Sequence, residues 1–163
     1  MRRLALLLLV IALVSSACGN GSAASADLVP ADFATRAIAA CQHAHDLKVA
    51  QGPFPFPTFN PTKPDPSLLP AVAIVLGKTA ATFGTWLTDL KALGTPATGQ
   101  AAWADLLAGV ERHVNLNADQ IDAANRGDGS KFAADYAEGL KAQTAVLAAA
   151  TAAGVGVCAQ VDR

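Results

Sequence analysis

The chain has 163 residues, of which 52% are hydrophobic and 15% charged, with a net charge of −1. A balance this mild and mixed lacks the clustered basic face of a nucleic-acid binder, so no nucleic-acid partner is expected. Aromatics make up only 6%, alanine dominates and β-branched runs are missing beyond the leader, which favours helix over strand.

Met1-Arg2-Arg3, an apolar run from Leu4 to Val14 and the small stretch Ser15-Ser16-Ala17 have the order of a secretory signal over residues 1–17. The run covers 11 residues, whereas a bilayer core takes about 20. No other stretch is long and apolar enough without charges to span a bilayer, and a polytopic membrane protein is not expected. Val14-Ser15-Ser16-Ala17-Cys18-Gly19 resembles a bacterial lipobox, which implies diacylglyceryl transfer to Cys18 and a mature chain that begins there. Ser15-x-Ala17 also fits ordinary cleavage, which would release a soluble secreted protein. Removing Arg2 and Arg3 leaves 10 of the 12 basic residues against 13 acidic ones, a mature net charge of −3. Two acyl chains anchor stably where one does not. Residues 18–29 then form the lipidated cysteine and a tether whose polar part, Gly19 to Ala26, reaches about 15–17 Å as a flexible coil. The expected location is the outer face of the cell membrane, held there by the lipid.

Residues 30–163 are expected to form one all-α domain, a four-helix bundle. Helix one starts near Pro30 and runs to about Gln51, with Phe33, Ala37, Cys41, Ala44 and Lys48 on one face and Ile38 beside it. Gly52-Pro53 stops it. From Gly52 to Pro64 there are five prolines, at 53, 55, 57, 61 and 64. In polyproline geometry this connection spans about 40 Å, a reach that serves either a return or a crossing of the whole bundle. It carries Phe54, Phe56 and Phe59 among its prolines. Stiff aromatic segments lose little entropy when a partner docks, and the alternative is that the rings seal one side of the bundle.

Helix two is expected to open at Asp65-Pro66, an N-cap acid followed by proline at the first helical position. Leu69, Val72, Leu76, Thr79, Phe83, Trp86, Leu90 and Leu93 keep three- and four-residue steps, and Gly94-Thr95-Pro96 ends the seam. Helix three is expected from Ala97 to about Arg126, with Trp103, Leu107, Val110, Val114, Ile121 and Ala124 in its stripe. Asn117 joins them, and a buried Asn needs a partner. Helix four follows Gly127-Asp128-Gly129 with Ser130 as cap and ends near Gly154. Its inner face is read as Phe132, Tyr136, Leu140, Gln143, Val146 or Leu147, and Ala150. The short turns make neighbours two to four antiparallel.

The three cysteines are Cys18, Cys41 and Cys158. Lipidation of Cys18 leaves Cys41 and Cys158 to pair in an oxidising compartment. The rival is metal binding by Cys41 and His45, which share a helix face at i and i+4. The lipobox cysteine, the small-residue tether, Ala39-Ala40-Cys41-x-x-Ala44, the alanine-rich body and the closing Gly156-Val157-Cys158-Ala159 together resemble a group of Ala-rich actinobacterial lipoproteins. The resemblance covers most of the chain and implies a helical bundle with a terminal disulfide. It brings no established activity and no catalytic residue. Ser15 departs from the pattern, which favours an aliphatic residue there.

Chemical motifs are few. His43 and His45 point about 200° apart on a helix and cannot jointly grip a metal; His43 and Asp46 can meet. A di-iron bundle needs several Glu and Glu-x-x-His, and the chain has only Glu111 and Glu138. Cys-x-x-Cys-His is missing and Met1 is the sole methionine. No cofactor or metal is expected. Gly-x-Ser-x-Gly and Ser-x-x-Lys are missing too, and Asp119 and Asp122 read as a solvated face, so the chain is not expected to be an enzyme. The first functional expectation is a non-catalytic binding or scaffold module at the cell envelope, meeting an envelope protein through Phe54, Phe56 and Phe59. The alternative is a carrier of a small apolar or lipid-like ligand, held between helices by Phe83, Trp86, Trp103 and Tyr136.

Overall fold

The computed structural model describes residues 28–161; the expectations for the leader, Cys18 and most of the tether lie outside the described residues. The elements are α1 (Ala31–Ala50), α2 (Leu69–Ala92), α3 (Gln100–Asn125), α4 (Gly129–Ala152) and a C-terminal 3-10 helix (Gly156–Gln160). This is the expected all-α four-helix bundle.

Three helix starts differ from the sequence reading, each for a local reason. α2 begins at Leu69 because Pro70 has no N–H to give Pro66, so a regular helix cannot run through both prolines. Asp65 instead folds a turn, its Oδ1 accepting from the Ser67 amide at 2.9 Å and hydroxyl at 2.8 Å. α3 begins at Gln100 because Gly99, at φ 68°, sits in the left-handed region and blocks helix upstream. α4 is capped by Asp128, which accepts from the Lys131 amide at 2.9 Å, and Ser130 lies inside the first turn.

α1 ends where expected, and its end is clamped. The Gln51 side-chain Nε2 donates to Thr82 Oγ1 at 2.7 Å and to the Lys78 carbonyl at 3.2 Å. Nearer the start of α1, Trp86 Nε1 lies 3.3 Å from Cys41 Sγ, and His43 meets Asp89 at 3.2 Å. α1 therefore runs antiparallel to α2, and the Pro-rich connection turns back rather than crossing. The order is up-down-up-down. Arg112 of α3 reaches Glu138 of α4 at 2.8 Å.

At one end the core is closed on every side. Phe33, Ala37, Cys41, Trp86, Leu90, Trp103, Leu106, Val146, Ala150 and Cys158 form one buried cluster. The 3-10 helix touches both α1 and α4. Cys41 and Cys158 stand at disulfide bonding distance, their Cα atoms 4.9 Å apart across a sequence separation of 117. That contact takes Cys41 away from His45 as a ligand pair. Gly109 lets α3 and α4 approach closely, since a Cβ there would sit 3.0 Å from Val146 Cγ2.

At the other end a second cluster gathers Leu69, Val72, Ala73, Ala123, Ala124 and Phe132, with Phe56 and Phe59 against it. Among the described residues, no helix covers this end on the side where α1 would continue. α1 has 20 residues against 26 in α3, a shortfall of about 9 Å at 1.5 Å per residue. α2 is long and apolar enough to cross a membrane by length and composition, although it carries Lys78. In the fold, most of its large apolar side chains face the two clusters, while Ile74 is 70% exposed.

On the inner face of α4 the buried residue is Val146 and not Leu147, Leu140 is partly exposed where it borders the space between the helices, and Asp135 is an unexpected buried position, paired with Lys131 one turn earlier.

Candidate ligand cavity

Between the two clusters, below the last turn of α1, lies a cavity of about 440 Å³. α2 contributes Val72, Leu76, Thr79 and Phe83; α3 contributes His113, Leu116, Asn117 and Gln120; α4 contributes Phe132, Tyr136, Gly139, Leu140 and Gln143. Lys48 borders the side where α1 stops, and Phe54, Phe59 and Pro61 partly cover it from the Pro-rich connection, leaving it open to solvent at a rim that includes Leu140.

That connection is a chain of turns rather than an extended polyproline rod. Phe59 N–H bonds the Phe56 carbonyl and Lys63 N–H bonds the Asn60 carbonyl. Asn60 Oδ1 accepts from the Thr62 amide at 3.0 Å and hydroxyl at 2.8 Å. Such Asx turns hold backbone direction locally, and here they bend the three phenylalanines back onto the bundle. Phe54 packs against Phe56 and Phe59 at 5.5 and 6.0 Å between ring centroids. Phe59 in turn meets Phe132 of α4 edge-on at 5.7 Å. Phe56 and Phe59 are half-buried, and Phe54 is 43% exposed at the rim.

The sequence-predicted site residues therefore divide. Phe54 and Phe59, picked out as partner-binding, and Phe83 and Tyr136, picked out as pocket-lining, share one cavity. Phe56 backs the cover from the second cluster. Trp86 and Trp103 do not line the cavity. Trp86 is fully buried beside Cys41, and Trp103 stands edge-on to Phe33 at 4.8 Å with its N–H on the Gly94 carbonyl.

Gln120, Leu116 and Gly139 are cavity residues that the sequence reading did not single out. A signal for Gln120 was present: His113, Asn117 and Gln120 follow one another at four- and three-residue steps on α3, a polar line inside an apolar stripe. Asn117 and Gln120 are each only 7% exposed. The Asn117 amide donates to the His113 carbonyl at 3.2 Å, and the His113 ring stands edge-on to Phe83 at 4.7 Å.

Charge stays outside. Lys48 is the one formally charged lining residue, and it has a partner of its own. On the outer surface Glu138 accepts from Lys141 at 2.6 Å and from Arg112 at 2.8 Å. Those cations, Lys141 foremost, hold its carboxyl below the usual carboxylate range. Among the described residues no group of three or more His, Cys, Asp or Glu gathers in the manner of a metal site. Comparison of the chain with protein-family profiles, curated proteins and solved structures finds no match.

Proposed function

We propose that this domain binds a small, largely apolar ligand in the cavity, and that it does so at the cell envelope, tethered to the outer face of the membrane through lipidated Cys18. The observation that carries the reading is the cavity itself. At about 440 Å³ it falls inside the size range of small-molecule sites, about 300–1,000 Å³. It has the usual chemistry of such sites, an apolar lining with a few convergent polar groups. Its cover is a loop rather than a helix, so a ligand can enter without unpacking the bundle. The docking reading for Phe54, Phe56 and Phe59 is the weaker one, because these rings pack on one another and on the bundle.

Gly139 supplies the test. A Cβ built there meets nothing within 4 Å, and the residue borders the cavity. Gly139→Leu therefore puts volume into the cavity without a backbone clash. Full-length protein extracted gently from its own membranes is compared with this variant by native mass spectrometry. Wild type is expected to keep a non-covalent mass that the variant lacks, while both carry the acyl mass on Cys18. Equal retention in the two proteins, or none in wild type, contradicts ligand binding; an unmodified Cys18 contradicts the tether.

A further inference from the structure

Resting on that reading, we infer that the ligand carries an uncharged head group that both donates and accepts hydrogen bonds, a hydroxyl or an amide, bound by Gln120 with Asn117 and Tyr136 beside it. The cavity is apolar around most of its wall, yet α3 turns two carboxamides toward it. Both are more than nine-tenths buried. Buried polar groups are normally paired, because leaving one unpaired costs about 1–3 kcal/mol. Gln120 has no hydrogen-bond partner among the described residues, and its amide atoms are open to the cavity rather than sealed in the packing. A primary amide offers two donors and a carbonyl oxygen. Asn117 uses its amide on the His113 carbonyl, and its own carbonyl oxygen remains as a further acceptor. The Tyr136 hydroxyl, opposite on α4, also has no hydrogen-bond partner among the described residues. Gln120 thus stands ready to exchange solvent for a ligand group of matching polarity.

The sign of the head group follows from the charges. A carboxylate or phosphate taken into this cavity would lose its hydration with no free cation to meet it, since Lys48 at the rim is already partnered. A quaternary ammonium would find no carboxylate among the lining residues. A neutral donor–acceptor group meets neither penalty. It also gains over a plain hydrocarbon, which would leave Gln120 unpaired in a drier site.

The experiment uses full-length protein held in peptidiscs and the neutral fluorophore N-phenyl-1-naphthylamine. The signal from the cavity is the part that Gly139→Leu removes, which separates it from partition into the surrounding amphiphile. 1-Decanol, decane and decanoate then compete for that signal. Decanol is expected to displace the fluorophore about tenfold more tightly than either competitor, the scale of one well-placed hydrogen bond. Gln120→Leu, close in volume, is expected to bring decanol and decane to equal affinity while leaving the fluorophore bound. The decanol–decane–decanoate order in wild type stands without the variant should it fold poorly. Decanoate binding as tightly as decanol, or a decanol preference that survives in folded Gln120→Leu, overturns the assignment of the head group. Absence of any signal sensitive to Gly139→Leu overturns the ligand reading beneath it.

Discussion

The two ends of the bundle are built from the same four helices and solve the burial problem differently. At the strapped end α1 lies against α2, the 3-10 helix fills the gap to α4, and Trp86, Leu106 and Val110 are fully enclosed. At the covered end α1 has stopped, and a loop of turns lays two phenylalanines over the space that a longer helix would fill. A helix interdigitates side chains to near-crystalline density; a loop held by Asx turns covers without filling. Closure at one end and vacancy at the other thus follow from one quantity, the length of α1 relative to its neighbours.

The largest effect should come from breaking the strap. Replacing Cys41 and Cys158 together by Ala should cost about 4–5 kcal/mol by the chain-entropy argument for a loop of this length. Urea denaturation would report it as a lower midpoint, and hydrogen exchange should show α1 loosening first. Next comes a paired comparison of aromatic truncations. Trp86→Ala, at the closed end, should cost about 3–5 kcal/mol. Phe59→Ala, in the half-buried cover, should cost only about 1–2 kcal/mol while weakening ligand retention. Similar losses for both would mean that the cover is packed as tightly as the core.

Smaller still is Gly139→Ala, which should stabilise the protein by about 0.5–1 kcal/mol through helix propensity alone, since nothing stands within 4 Å of the new methyl. Thermal melting of the variant measures it, and destabilisation would show that this stretch of α4 is not open. Smallest is Glu138→Gln. Its carboxyl is held below the ordinary range by Lys141 and Arg112, so its contribution is present at neutral pH. That contribution fades as pH falls through the depressed value. The variant should melt slightly below wild type at neutral pH and level with it in acid, because exposed pairs contribute little.

Much of the fold was legible in the sequence, for a physical reason. The α2 stripe from Leu69 to Leu90 keeps helical steps with large apolar residues, and the stops at Gly52, Gly94 and Gly127 are unambiguous chain breakers. α4 was harder. It has so many alanines that the pattern did not choose between Val146 and Leu147 as the inner residue, and Asp135, which is buried and paired with Lys131, was not picked out at all. The cavity was legible only in parts. Phe54, Phe59, Phe83 and Tyr136 stood out by type, but their meeting depends on where α1 ends and how the turns at Asn60 and Asp65 fold the connection back. Gln120 was hidden because polar residues on a helical stripe ordinarily read as surface, although it continues the line of His113 and Asn117.

The central claim is that the space below α1 is a ligand site rather than slack in the packing. Titrating N-phenyl-1-naphthylamine into full-length wild type and Gly139→Leu, with helicity and melting followed in parallel, tests it most directly. One saturable site per chain is expected in wild type, lost in the variant with the fold intact. Binding that is indifferent to Gly139→Leu, or no saturable site in wild type, would contradict it.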